Sequence, residues 1–335
     1  MAPRIDPELI AGIAAYRRHP WTRDMPEPPC IWAEGNTRLL DYALREALPN
    51  PGGARLLFVP SLVNRGYVLD LAQGRSMLRW FAAAGFAPLL LDWGAPDEAA
   101  RAFTLTDYIA GRLERALAFA GRCVLVGYCM GGLLAIAAAL RRPDLVQALA
   151  LLAVPWDFHA DGSALPRRLA ATLPALEPAM ALLGTLPVDV LQALFSLADA
   201  EGIAARYRGF ARLDPGSERA RAFVALEDWL ADGVSLPAAV VRECLGGWYG
   251  RNTPRHGAWR VAGEAVDPGR LRLPCFVALP GRDRIVPPAT AEPLATLIAG
   301  AEAHRPTAGH IGMAAGAGAE AALWRPLGAW LRRLA

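Results

Sequence analysis

The residues with the clearest chemical potential lie in Gly127-Tyr128-Cys129-Met130-Gly131-Gly132. An apolar run over Cys123–Val126 precedes them and an apolar helical pattern over Leu133–Leu140 follows. A strand that turns sharply into a helix holds its central residue in a strained backbone state, where bulky neighbours would clash. Glycines at 127 and 131 remove those clashes. The helix that follows points its N-terminal amides at Cys129, which suits a thiolate nucleophile. Met130 N–H is then a candidate oxyanion donor. The loop Ser61-Leu62-Val63-Asn64 supplies the second, with Leu62 and Val63 the candidates.

A thiol nucleophile needs a base, and the base needs an orienting carboxylate. Two downstream loops offer them. Asp283 sits in Gly281-Arg282-Asp283-Arg284-Ile285-Val286-Pro287, and His310 in Thr307-Ala308-Gly309-His310-Ile311-Gly312. His310 would deprotonate Cys129 and later activate the second nucleophile, while Asp283 holds its tautomer. The chain order nucleophile, Asp, His matches that of α/β-hydrolases. His159 is a weaker candidate at an entrance, and His19, His256 and His304 lack chemical context.

These residues must be carried by a regular framework. Arg55–Pro60, Phe86–Leu91, Cys123–Val126, Val146–Ala153 and Leu273–Leu279 read as buried strands. A further strand is expected near 301–306. Helical patterns cover 5–18, 37–48, Ser76–Ala84, Thr106–Phe119, Leu133–Leu140, Ala289–Ile298 and 323–334, and 19–36 reads as an irregular arm. Strands alternating with helices imply a mostly parallel sheet covered on both faces. The stretch 157–250 breaks that rhythm and is mostly helical in pattern. The expected division is therefore an N-terminal arm with helices over 1–50, an α/β-hydrolase core over 51–156 and 251–335, and an inserted helical cap over 157–250.

Composition narrows the function classes. The chain has 335 residues, 54% of them hydrophobic and 20% charged, with a net charge of +3. It is thus neither disordered nor a coiled coil, and a nucleic-acid partner gains no support. It contains no lysine, which excludes Schiff-base chemistry and a P-loop. The five cysteines are odd in number and widely spaced, and a reducing cytoplasm is their simplest setting. No metal-ligand spacing, dinucleotide fingerprint, signal peptide or transmembrane stretch is evident, so neither metal nor cofactor is expected.

Taken together, the motifs resemble the polyhydroxyalkanoate synthase family. Gly127–Gly132 fits its G-x-C-x-G-G box. Val63–Leu71, Leu91–Pro96 followed by Leu105–Tyr108, Glu227–Gly233, Asp283–Pro287, Gly309–Gly312 and Trp324–Leu331 are similar to other family segments, some of them to the short, two-subunit type. The resemblance implies an α/β-hydrolase fold and an acyltransferase that polymerises 3-hydroxyacyl-CoA through an acyl thioester on Cys129, with CoA released. It implies Asp283 assisting hydroxyl activation through His310. Asn64, Arg65 and Tyr128 are the candidate CoA or substrate contacts, Arg65 standing where synthases commonly carry lysine. It further implies a homodimer at the surface of an intracellular polyester granule, with a second, non-catalytic subunit. A thioesterase or polyhydroxyalkanoate depolymerase would use the same three side chains, and a non-catalytic granule-binding subunit would not need them.

Overall fold

A computed structural model describes residues 6–43, 54–198 and 200–334, with the side chains of 195–200 left aside. Among the described residues, the central sheet has eight strands. They are β1 (Cys30–Glu34), β2 (Thr37–Asp41), β3 (Arg55–Val59), β4 (Ala87–Asp92), β5 (Cys123–Tyr128), β6 (Val146–Leu152), β7 (Cys275–Ala278) and β8 (Glu302–His304). Their order across the sheet is β1-β2-β4-β3-β5-β6-β7-β8. All pairings from β4 to β8 are parallel, and β1 and β2 add an antiparallel edge.

Successive residues of the inner strands serve opposite faces, as a pleated strand requires. Leu57, Val59 and Leu125 point into one apolar layer, and Leu56, Phe58 and Val126 into the other. The first layer is closed by α3 (Glu114–Ala120), α4 (Met130–Arg141) and α11 (Pro288–Leu297). The second is closed by α2 (Met77–Ala83), α12 (Gly312–Ala315) and α13 (Arg325–Arg332). Ser76 caps α2 by accepting the Arg79 N–H at 3.0 Å. Burial on both faces explains why these strands read as continuous apolar runs.

Two expectations change at the sheet edge. Residues 37–41, expected to be helical, form β2, and positions 44–48 of that expectation lie outside the described residues. Thr37, Leu39 and Asp41 are buried while Arg38 is exposed, a period of two that only a strand produces. The arm 19–36 contains β1, which pairs with β2 through a tight turn at Gly35, whose φ is +56°. The strand expected near 301–306 is β8, a short edge strand.

Between β6 and β7 the chain forms α5 (Ala164–Ala170), α6 (Leu173–Leu183), α7 (Val188–Ala198), α8 (Ala200–Phe210), α9 (Glu218–Ala231) and α10 (Ala238–Arg242), which runs on as a π-helix over Glu243–Gly250. The N-terminal helix α1 (Pro7–Arg18) packs on α8 so closely that a Cβ on Gly12 would lie 2.0 Å from the Tyr207 carbonyl oxygen. Tyr16, Phe210 and Phe223 help build a third, separate apolar cluster there. Behind the sheet, Asp70 is fully buried and accepts from Arg79 Nε at 2.8 Å, Arg23 Nη2 at 3.1 Å and Tyr42 OH at 3.1 Å. That network pins the N-terminal arm to the core.

Candidate active site

Cys129 stands between the C-terminal end of β5 and the first residue of α4. Its φ of 55° and ψ of −131° place a side-chain-bearing residue in a conformation normally left to glycine. Its own N–H is held by the Leu152 carbonyl at 2.9 Å. The glycines around it answer to crowding. A Cβ on Gly127 would lie 2.4 Å from Gly132 Cα, and one on Gly131 would lie 2.1 Å from the Val59 carbonyl oxygen. The start of α4 therefore rests directly on the end of β3. That close approach brings the loop after β3, with Leu62 and Val63, beside the elbow.

The fold brings the three distant candidates together. His310 Nδ1 lies 2.6 Å from Asp283 Oδ2, and both side chains are buried. A carboxylate only accepts, so Nδ1 carries the proton and the other ring nitrogen is left for the Cys129 thiol, whose charge acts on the ring. Asp283 is fixed in turn: its Oδ1 accepts the N–H groups of Ile285 and Val286, each at 2.8 Å. Burial opposes a charge on His310, yet the negative charge of Cys129 and the hydrogen bond with Asp283 prevail. The imidazole is pushed up to about 10. The arrangement thus favours a protonated imidazole beside Cys129.

The other candidates fall in different places. Tyr128 is buried; its ring centroid is 5.0 Å from that of His310, and its hydroxyl donates to the His310 carbonyl at 3.3 Å. It braces the histidine and is almost wholly shielded from solvent. The Val63 N–H is already engaged, donating to Ser61 Oγ at 3.1 Å. Arg65 Nε is engaged by Asp232 Oδ1 at 2.8 Å, and Asn64 forms a bridge with Gly233. His159 Nε2 lies 2.8 Å from the Tyr249 carbonyl.

Tyr249 was not legible in the sequence as part of this site. Burial raises its phenol, and the negative charges of Cys129 and Cys244 raise it further, so the tyrosine stays protonated close to the nucleophile. Its ring packs at 5.0 Å from that of Phe158. The helical pattern around it gave no periodic cue, because the π-helix shifts the facing of each residue.

A mostly parallel sheet, a strained elbow at the end of its central strand, and a buried Asp–His pair beside it define one class. The chain belongs to the alpha/beta hydrolase fold family, whose model matches residues 74–316. Within that class it is similar to the poly(3-hydroxyalkanoate) polymerase subunits. It is 26% identical over 310 residues to that of Allochromatium vinosum, covering 90% of this chain and 87% of the relative. It is 26% identical over 309 residues to that of Haloferax mediterranei, covering 90% of this chain and 62% of that longer relative. Among solved structures, the thioesterase domain from the curacin biosynthetic pathway matches with a TM-score of 0.55 at 15% identity, covering 93% of this chain and all of that domain, and so shares the fold. Among the described residues, no helix is long and apolar enough to cross a membrane.

Proposed function

We propose that this chain is an acyltransferase that polymerises 3-hydroxyacyl-CoA through an acyl thioester on Cys129. The observation that carries the reading is the Cys129–His310–Asp283 relay on a hydrolase elbow in a chain whose curated relatives are polymerase subunits. The Cys129 thiolate attacks the substrate thioester carbonyl. The amides of Met130 and Leu62 hold the oxyanion. Its collapse breaks the bond to CoA sulfur, and the His310 imidazolium supplies the proton that leaves with CoA. Neutral His310 then takes the proton from the 3-hydroxyl of an incoming thioester. That oxygen attacks the acyl-enzyme, the C–S bond to Cys129 breaks, and an ester one unit longer forms as its CoA thioester. Renewed attack by Cys129 reloads the enzyme and releases that CoA. Coenzyme A enters only as part of the substrate, and no cofactor is required. The helices over 157–250 act as a cap on this apolar site. The reading carries with it a homodimer at a cytoplasmic polyester granule and a second, non-catalytic subunit. The polymerase relatives do not favour the hydrolytic alternative.

The test is incubation with 3-hydroxybutyryl-CoA, with and without the small neighbouring gene product, following CoA release, insoluble polymer and free acid. Polymer with matching CoA release is expected, and Cys129→Ala should abolish both. Free acid as the sole product would move the assignment to a hydrolase. Undiminished release by Cys129→Ala would end the covalent mechanism.

A further inference from the structure

We propose that Trp229 and Asp232, at the end of α9 in the helical insertion, are positioning residues for the oxyanion loop, so that the loop is competent only when the insertion is seated. The inference rests on the reading of Leu62 and Met130 as oxyanion donors.

The loop 61–67 is sewn to residues 229–234 along its length. The Trp229 indole Nε1 donates to the Arg65 carbonyl at 2.7 Å. The Arg65 guanidinium Nε donates to Asp232 Oδ1 at 2.8 Å. The Tyr67 hydroxyl faces the same carboxylate, whose charge raises the phenol. The Val234 N–H donates to the Val63 carbonyl at 3.2 Å, and Asn64 bridges to Gly233. On the core side the loop has fewer holds: the Pro60 carbonyl accepts the Trp93 indole N–H at 2.9 Å, and Ser61 closes its own turn onto Val63. Leu62 lies between these two sets of restraints. The Arg65–Asp232 pair is more than a third exposed on both sides, so as an isolated ion pair it contributes little. Its use is geometric, because it fixes the backbone that leads into the donor amide. Trp229 is different: it is buried, and its N–H would have no replacement acceptor in an apolar setting.

Consecutive residues at this end of α9 face three ways. Glu227 accepts from Tyr207 of α8 at 3.1 Å, Asp228 accepts from Tyr16 of α1 at 2.7 Å, and Trp229 donates into the loop. One helix end thus links the N-terminal helix, the insertion and the backbone beside the nucleophile. A shift of the insertion is transmitted to Leu62 through hydrogen bonds a few residues away.

Trp229→Phe keeps an aromatic side chain and removes the N–H, and Asp232→Asn keeps the shape and removes the charge. Three quantities are measured in each. They are kcat and KM for CoA release from 3-hydroxybutyryl-CoA, the p-nitrophenol burst from p-nitrophenyl butyrate, and the rate of Cys129 alkylation by iodoacetamide. Alkylation forms the C–S bond and expels iodide without an oxyanion, so it reports the thiolate alone. Each variant should lower kcat and the burst rate by about tenfold or more, as partial loss of an oxyanion donor does. KM and the alkylation rate should hold within about twofold, and the double variant should lose less than the product of the single losses. An unchanged burst would overturn the proposal, as would alkylation falling in step with it, since that would signal general disruption. A wild-type chain that gives the burst but no CoA release would instead overturn the polymerase reading and leave this one standing.

Discussion

Replacing Gly131 with alanine adds one methyl group at the point where α4 rests on β3. Gly131 does not have a positive φ and lies one residue inside the helix, so alanine suits its backbone and gains about 1 kcal/mol of helix propensity. Any loss must then come from crowding. The new Cβ would lie 2.1 Å from the Val59 carbonyl oxygen and 2.5 Å from that of Pro60. Carbon-to-oxygen contacts settle near ~3.3 Å, so helix and strand must part by about 1.2 Å. Backbone atoms on both sides leave no side chain to rotate away. Cys129 and Met130 ride on the helix, whereas Leu62 rides on the strand-end loop, so the parting pulls the two oxyanion donors away from each other. A misplacement of about 1 Å at reacting groups costs roughly a hundredfold in rate, or about 2.7 kcal/mol of activation free energy. The assay is single-turnover acylation of Cys129 by 3-hydroxybutyryl-CoA, alongside thermal unfolding. We expect a rate reduced about a hundredfold in a chain that still folds. Acylation at the wild-type rate would refute the reasoning, because the elbow would then tolerate the separation that the geometry forbids.

Two further outcomes follow from the charge networks. His310 stays protonated through neutral pH and loses its proton as pH rises through about 10, and Asp283 is one of the groups that holds it there. Asp283→Asn should therefore shift the basic limb of the pH–rate profile for CoA release to lower pH and lower kcat by about a hundredfold or more; an unmoved limb would separate Asp283 from the titration. Asp70→Ala leaves Arg79, Arg23 and Tyr42 facing an empty buried site. The two guanidiniums are about one-third exposed, so the loss should be about 2–3 kcal/mol, below that for a fully buried pair, read as a lowered urea midpoint. A midpoint equal to that of the wild type would show that the network does not hold the arm.

The parts of the fold that were legible in the sequence are those buried on both faces. The β3, β5 and β6 runs are apolar but for Arg55 and Gln147, and their boundaries moved by only a residue or two. The edge was not legible. β1 is only partly buried and β2 alternates, and in five residues alternation is too short to compete with a helical pattern that continues past it. Cys129, Asp283 and His310 could be selected because their local turns are rich in small residues and their chain order is distinctive. The packing of Tyr128 on His310 was not legible: as the last residue of a buried strand it turns toward that ring, and sequence alone does not tell which face a strand-end side chain takes. The attachment of Arg65 to Asp232 spans 167 positions, a separation at which no local pattern can pair two charges.

The backbone of Cys129 has one more consequence. At φ 55° and ψ −131° every residue with a side chain carries about 1–3 kcal/mol of strain, while glycine sits there at ease. Folding and chemistry thus make opposite demands on the same position. A library of variants selected for heat resistance alone would enrich glycine at 129 and discard the thiol. Hardening this chain for use at high temperature therefore needs a turnover screen run beside the thermal one, or the first gain recovered will be a well-folded protein with nothing to acylate.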